Sequence, residues 1–218
     1  MEVSTRSWSK WLQILSDDEE FIIKTILDKE QVCLKQILHR LCDFLTDNKQ
    51  TLLPRFFGLY CYKGSGQTIR FVVMNNLLAS DLYIDKRFDL KGATKRRKAA
   101  SVLKDDEFNP TYPQGFKLDA PYVNRFRELV ELDCMHLREL GLTNYSLFIA
   151  VHDVGWSNNG DLLRVSINNI RFRMRPSQSL GMLGKKTPVQ PPRKFEERFM
   201  NFVTDKLFRE NHQAGSFV

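Results

Sequence analysis

The side chains best suited to chemistry in this chain are a run of cations. Lys91, Lys95, Arg96, Arg97 and Lys98 fall within a segment that contains no acid. Planar guanidinium groups take a phosphate or carboxylate through two parallel hydrogen bonds, and ammonium groups add compact point charges beside them. Gly92, directly after the first lysine, allows the main chain to approach an anion closely. A second basic cluster runs from Arg171 to Arg175, and a third comprises Lys185 and Lys186, followed by Arg193 and Lys194. Basic runs are more often solvated faces than sites. The overall charge points the same way as the clusters: a net +7 and a sequence pI of 9.3 favour phosphate-rich partners, whether nucleic acid, nucleotide or an anionic lipid surface. Nucleic acid ranks last among these, because no zinc-ligand spacing or aromatic-rich recognition segment accompanies the charge.

The four cysteines, Cys33, Cys42, Cys61 and Cys134, are scattered without a CxxC pair, so free, buried thiols in a reducing cytoplasm are expected rather than a metal site or a disulfide framework. No apolar run approaches the roughly 20 residues needed to span a bilayer, and Met1–Lys10 lacks the pattern of a signal peptide. A cytoplasmic protein is expected.

Several elements must position these groups. Glu20–Leu27 reads as a strand, β-branched and aromatic after an acidic run. Lys29–Leu45 reads as a helix, with Leu34, Ile37, Leu38, Leu41 and Leu45 on one face. Phe56–Tyr62 and Thr68–Met74 flank the turn-rich Lys63-Gly64-Ser65-Gly66 and predict a hairpin. A second helix spans Pro121–Leu140, with Val123, Phe126, Val130, Cys134 and Leu137 at helical spacing and Gly141 at its C-terminal end. Strands are expected over Tyr145–Val151 and Leu162–Phe172. Pro188, Pro191 and Pro192 read as a stiff linker to a last helix that begins near Phe195 and carries Phe199, Phe202, Val203 and Leu207. The order predicts an α+β domain with two lobes and antiparallel sheets.

Four stretches resemble the landmarks of the phosphatidylinositol-phosphate kinases, and of their type I branch in particular. They are Asp17–Thr25 (DDEEFIIKT), Thr51–Cys61 (TLLPRFFGLYC), Phe71–Leu78 with Phe88–Arg97 (FVVMNNLL and FDLKGATKRR), and Thr143–Val154 (TNYSLFIAVHDV). Phe195–Phe208 is a weaker echo. The resemblance implies a two-lobed lipid-kinase fold, transfer of the γ-phosphoryl group of ATP to an inositol hydroxyl, and Mg²⁺ to bridge the phosphates. It makes Lys24 the ATP-phosphate lysine, with Glu30 at the head of the next helix either its partner or an acid favoured there by the helix dipole. It places Lys91, in Asp89-Leu90-Lys91-Gly92, near the transferred phosphate, with Lys91 and Asp89 both among the catalytic residues. Lys95, Arg96 and Arg97 would engage the substrate headgroup, and Lys185 and Lys186 are the remnant of a shortened loop for lipid preference.

The same resemblance exposes departures. At Asn144 the family motif MDYSL has its catalytic aspartate. Asn169, in Ile167-Asn168-Asn169-Ile170, is the counterpart of the metal-binding and ATP-site aspartate. An amide accepts hydrogen bonds but neither takes a proton nor adds negative charge, and Mg²⁺ prefers carboxylate oxygens. Asp153 is the nearest surviving acid. Ser9–Leu12 carries Trp11 where the family has a small glycine- and serine-rich turn. The expected organisation is a degraded turn region over residues 1–16, an N-terminal lobe over 17–78, a C-terminal lobe over 79–187, and a linker with a terminal helix over 188–218. The reading that follows is a domain that docks on anionic phosphoinositide membranes at their cytosolic face, with weak or lost catalysis. Its partner would be an active phosphoinositide kinase paralogue. An active phosphatidylinositol 4-phosphate 5-kinase with rearranged metal ligands is the alternative.

Overall fold

The computed structural model describes residues 12–64, 66–93, 102–152, 162–168 and 191–210. The first lobe is an antiparallel sheet of β1 (Gln13–Leu15), β2 (Phe21–Ile26), β3 (Phe56–Gly64) and β4 (Gln67–Asn75), in the order β1-β2-β4-β3. Between β2 and β3 runs the helix α1 (Asp28–Asp47). Ile22 pairs with Met74 and Ile26 with Arg70, so alternate residues of both strands share one face. Ile22, Ile26, Val72 and Met74 on that face join Leu34, Ile37, Leu41 and Leu45 of α1 in the core. The helix begins at Asp28 because Glu30 turns back: its carboxylate accepts the Leu27 N–H at 3.0 Å, satisfying one donor that has no partner within the helix.

The second lobe is built on β5 (Lys86–Leu90), β7 (Ser146–His152) and β8 (Leu162–Asn168), antiparallel in the order β5-β7-β8. Between β5 and β7 come α2 (Asp105–Thr111), β6 (Phe116–Leu118) and α3 (Ala120–Glu139). After β8, α4 (Pro192–Phe202) passes into a π-helical turn over Val203–Leu207 and then β9 (Phe208–Glu210), which pairs in parallel with β6. Aromatic rings fill this core. Phe108 makes edge or tilted contacts with Phe88, Phe116 and Phe202 at centroid distances of 5.3 to 6.0 Å. Such packing adds to the burial of large apolar area.

The lobes meet where α1 gives way to β3. Asp133 of α3, fully buried, accepts the Thr51 hydroxyl and the Leu52 N–H, the latter at 2.8 Å. The Leu52 carbonyl in turn accepts the N–H of Ile167 at 2.8 Å. Phe44 of α1 stacks on His136 of α3 with ring centroids 4.0 Å apart. No helix among the described residues is long and apolar enough to cross a membrane.

Most elements fall within a few residues of their expected bounds. Two expectations change, and a third extends beyond the described residues. Pro192 is not linker but the first residue of α4, a position whose N–H needs no intrahelical partner, and Pro191 caps it; Pro188 lies outside the described residues. Of the cysteines only Cys33 and Cys134 are buried, whereas Cys42 and Cys61 are exposed. The strand expected over Leu162–Phe172 is described as far as Asn168.

Candidate functional site

Strand pairing assembles the site. Leu90, the last residue of β5, lies opposite Leu147 near the start of β7. The chain that leaves β5 at Lys91 therefore faces the chain that enters β7 through Asn144 and Tyr145. The Lys91 ammonium donates to the Asn144 carbonyl at 2.8 Å and lies 3.5 Å from that of Tyr145. Asn144 has φ of +62°, a left-handed conformation that asparagine and aspartate adopt more readily than other side-chain-bearing residues. Its neighbour Tyr145 is buried between Phe195 and Phe199, and burial pushes its phenol well above the usual range.

The main chain on the Lys91 side is fixed as firmly. One oxygen of Asp105, at the start of α2, accepts the N–H groups of Lys91 at 2.9 Å and of Ala93 at 3.1 Å. Gly92 has φ of +61°. A Cβ there would lie 2.9 Å from the Phe202 Cβ and 3.2 Å from the Arg198 carbonyl, so glycine is required both by conformation and by space.

Asp89 is buried in β5 and accepts the Lys104 ammonium at 2.6 Å. Burial alone would raise its pKa. The hydrogen bond from Lys104, with the charges of Lys91 and Lys104, outweighs that and holds the carboxyl below its ordinary value. Asp89 is thus ionised and ion-paired with Lys104.

Lys24 lies on β2, an interior strand between β1 and β4, opposite Gln13 and Val72. Lys24 is half-buried there rather than exposed at a sheet edge. Glu30 is buried and caps α1. Lys95, Arg96, Arg97, Asn169, Lys185, Lys186, Asp153 and Trp11 lie outside the described residues; β8 ends at Asn168, opposite Ser146. The sequence reading missed Lys104, Asp105 and Arg198. The signal for Asp105 was the acidic Asp-Asp-Glu at the head of α2, but its pairing with main chain twelve residues upstream depends on tertiary placement.

The described residues do not fit a divalent cation. Among them no group of three or more His, Cys, Asp or Glu side chains is placed to hold one. The two carboxylates nearest Lys91 are engaged, Asp89 by Lys104 and Asp105 by backbone N–H groups. Mg²⁺ calls for near-octahedral oxygen coordination, and this pair offers no such set.

The family model described as Phosphatidylinositol-4-phosphate 5-Kinase matches residues 1–179. This chain belongs to that family, and its α+β fold agrees with the membership. Among relatives, phosphatidylinositol 4-phosphate 5-kinase type-1 alpha of Homo sapiens is 36% identical over 162 residues, covering 71% of this chain and 29% of that protein. The type-1 protein sktl of Drosophila melanogaster is 37% identical over 161 residues, 70% of this chain and 20% of the relative. The type-1 beta protein of Mus musculus is 35% identical over 160 residues, 70% and 30%. The chain therefore spans less than a third of the length of these curated relatives. The family match ends before α4 begins at Pro192.

Proposed function

We propose that this chain is a phosphoinositide-kinase-fold domain that binds phosphoinositide-containing membranes through Lys91 and the basic segment after it, with phosphoryl transfer weak or lost. The observation that carries the reading is Asn144: an amide stands where the family motif has aspartate, at the point where Lys91 grips the main chain. Lys91 is the retained half of the pair, the cation that this reading assigns to phosphate. The missing half is the group that orients the inositol hydroxyl and takes its proton. Loss of a positioned base costs about 10²–10⁴ in rate, and the described carboxylates do not replace the metal set. Polybasic segments gain about 1 kcal/mol per cation at an anionic leaflet, which supports a peripheral position on the cytosolic face. ATP held at Lys24, and an active phosphoinositide kinase as the partner, belong to the same reading.

The test is transfer of labelled phosphate from ATP to phosphatidylinositol 4-phosphate in liposomes, comparing the unmodified protein with Asn144→Asp. Aspartate tolerates the left-handed backbone at this position, so the substitution changes chemistry and not conformation. The unmodified protein is expected to transfer no phosphate above background while sedimenting with phosphoinositide liposomes. Asn144→Asp is expected to raise residual transfer by up to about 10²-fold. Robust turnover by the unmodified protein would support an active 5-kinase instead, and sedimentation indifferent to phosphoinositide content would remove the membrane reading.

A further inference from the structure

The helix that closes the site from behind lies outside the residues matched to the family. One face of α4 carries Phe195, Phe199 and Phe202, exposed by 1%, 0% and 7%, at the spacing of successive turns. That face touches both chains of the site. On one side Phe195 and Phe199 pack edge-on against Tyr145, with ring centroids 4.6 and 5.1 Å away. On the other, Gly92 is seated against Phe202 and the Arg198 carbonyl so closely that no Cβ fits. Arg198 completes the contact. Its guanidinium lies 4.8 Å from the centre of the Phe195 ring and reaches the Lys91 carbonyl at 3.4 Å, a long hydrogen bond.

The helix has anchors of its own, independent of Lys91. Arg138 of α3 binds Glu196 at 2.9 Å. Beyond the π-helical turn, β9 pairs with β6, Phe208 opposite Phe116. A rigid element held at α3 and at β6 thus meets the main chain at Lys91–Gly92 and at Tyr145. The Lys91 ammonium must cross from the first of these to the carbonyl of Asn144, beside the second.

We propose that α4 is the positioning element of this site, with Arg198 the positioning residue that sets where Lys91 presents its ammonium. The proposal rests on the reading of Lys91 as an anion-binding cation, and it adds a group that touches no ligand itself. Arg198 acts through the Lys91 main chain: it fixes the carbonyl, and the peptide plane fixes the direction in which the side chain departs. Loss of that bond leaves α4 docked by Glu196, the phenylalanines and β9, and leaves Lys91 held at its N–H by Asp105 but not at its carbonyl, so that its side chain shifts relative to Asn144.

The experiment is a double-substitution cycle with Arg198→Gln and Lys91→Ala. Binding is measured to phosphatidylcholine vesicles with and without phosphatidylinositol 4-phosphate, and the Lys91 signal is followed by NMR after ¹³C-dimethylation of lysines. Arg198→Gln is expected to weaken phosphoinositide-dependent binding about fivefold, the worth of one hydrogen bond, and to shift the Lys91 signal. Arg198→Lys, which keeps an N–H donor, should recover part of both. In the Lys91→Ala background Arg198→Gln should have no further effect on binding. Equal weakening in both backgrounds would overturn the proposal, because Arg198 would then act elsewhere. So would an unmoved Lys91 signal. A protein in which Lys91→Ala binds normally while Arg198→Gln still shifts the Lys91 signal keeps the positioning role and removes the anion reading beneath it. Should Arg198→Gln fail to fold, Arg198→Met, which keeps a long side chain over the Phe195 ring and removes the N–H donor, must shift the same signal for the proposal to stand.

Discussion

Lys104 and Asp89 form the most buried ion pair among those described, with side chains 11% and 6% exposed. Removing one partner of such a pair strands the other charge away from water, which costs about 3–5 kcal/mol, whereas exposed pairs contribute about 0–1 kcal/mol. Lys104→Ala is therefore expected to lower stability by an amount in the upper range, read as a reduced urea midpoint. Adding Asp89→Asn should restore part of it, since an amide tolerates burial better than a lone carboxylate. Because the folded pKa of Asp89 is depressed, its stabilising contribution is present above the unfolded value near 3.8 and is lost as pH falls through the folded one. Asp89 stood in the sequence as a catalytic candidate and not as the partner of a lysine, and Lys104 was not separable from ordinary surface charge. Lys104 follows a basic run and reads as its continuation, and only the return of the chain beside β5, where Leu103 bridges Phe88, turns it inward. Lys91 and Asn144, in contrast, stood out as individual residues through the motifs around them.

Helices and strands with a clean apolar period were legible in the residue pattern itself. Leu34, Ile37, Leu41 and Leu45 of α1 are buried as their spacing requires, and so are Val123, Val130, Cys134 and Leu137 of α3. What local pattern could not supply is phase and neighbourhood. β1 is three residues long, too short to register as a strand, yet its pairing with β2 is what makes Lys24 interior. The turn from Val203 to Leu207 departs from the α-helical period so that Phe208 can meet β6, and that shift has no meaning until β6 exists. Gly115 marks the junction. At φ of +69° it lies so close to the turn that a Cβ would come within 2.8 Å of the carbonyl oxygens of Lys206 and Leu207. Gly115→Ala is expected to destabilise the domain by at least about 1–2 kcal/mol, measured by urea unfolding, and to loosen β6–β9 before the rest, measured by amide exchange.

The two lobes are held by a buried carboxyl whose protonation changes their junction. Burial raises Asp133 to a pKa of about 6, against the hydrogen bonds from Thr51 and Leu52, which lower it. A carboxyl raised on folding stabilises fully below its unfolded pKa near 3.8, and that contribution is lost as pH rises through about 6. Relative to Asp133→Asn, which cannot titrate, the unmodified protein should lose roughly 3 kcal/mol between about pH 4 and 6 and then stay level. His136 beside it is held below its ordinary pKa by burial and by Arg40, so it acts with the opposite sign; taking the difference between the two proteins removes it. A flat difference would mean that Asp133 does not titrate in this range.

The two-lobed α+β plan was foreseeable from element order. The convergence of Lys91 with Asn144, 53 positions later, was implied by the family resemblance alone and not by local pattern, because strand order decides it. The contact of Arg198 with Lys91 spans 107 positions. Long-range closures of this kind form late, after the loop entropy they require has been offset by other contacts. As the chain is synthesised, β5, β7 and β8 can all emerge and pair before α4 exists. The site therefore passes through a stage in which its sheet is complete and its brace is absent, and it reaches its final geometry only when α4 and β9 have been made.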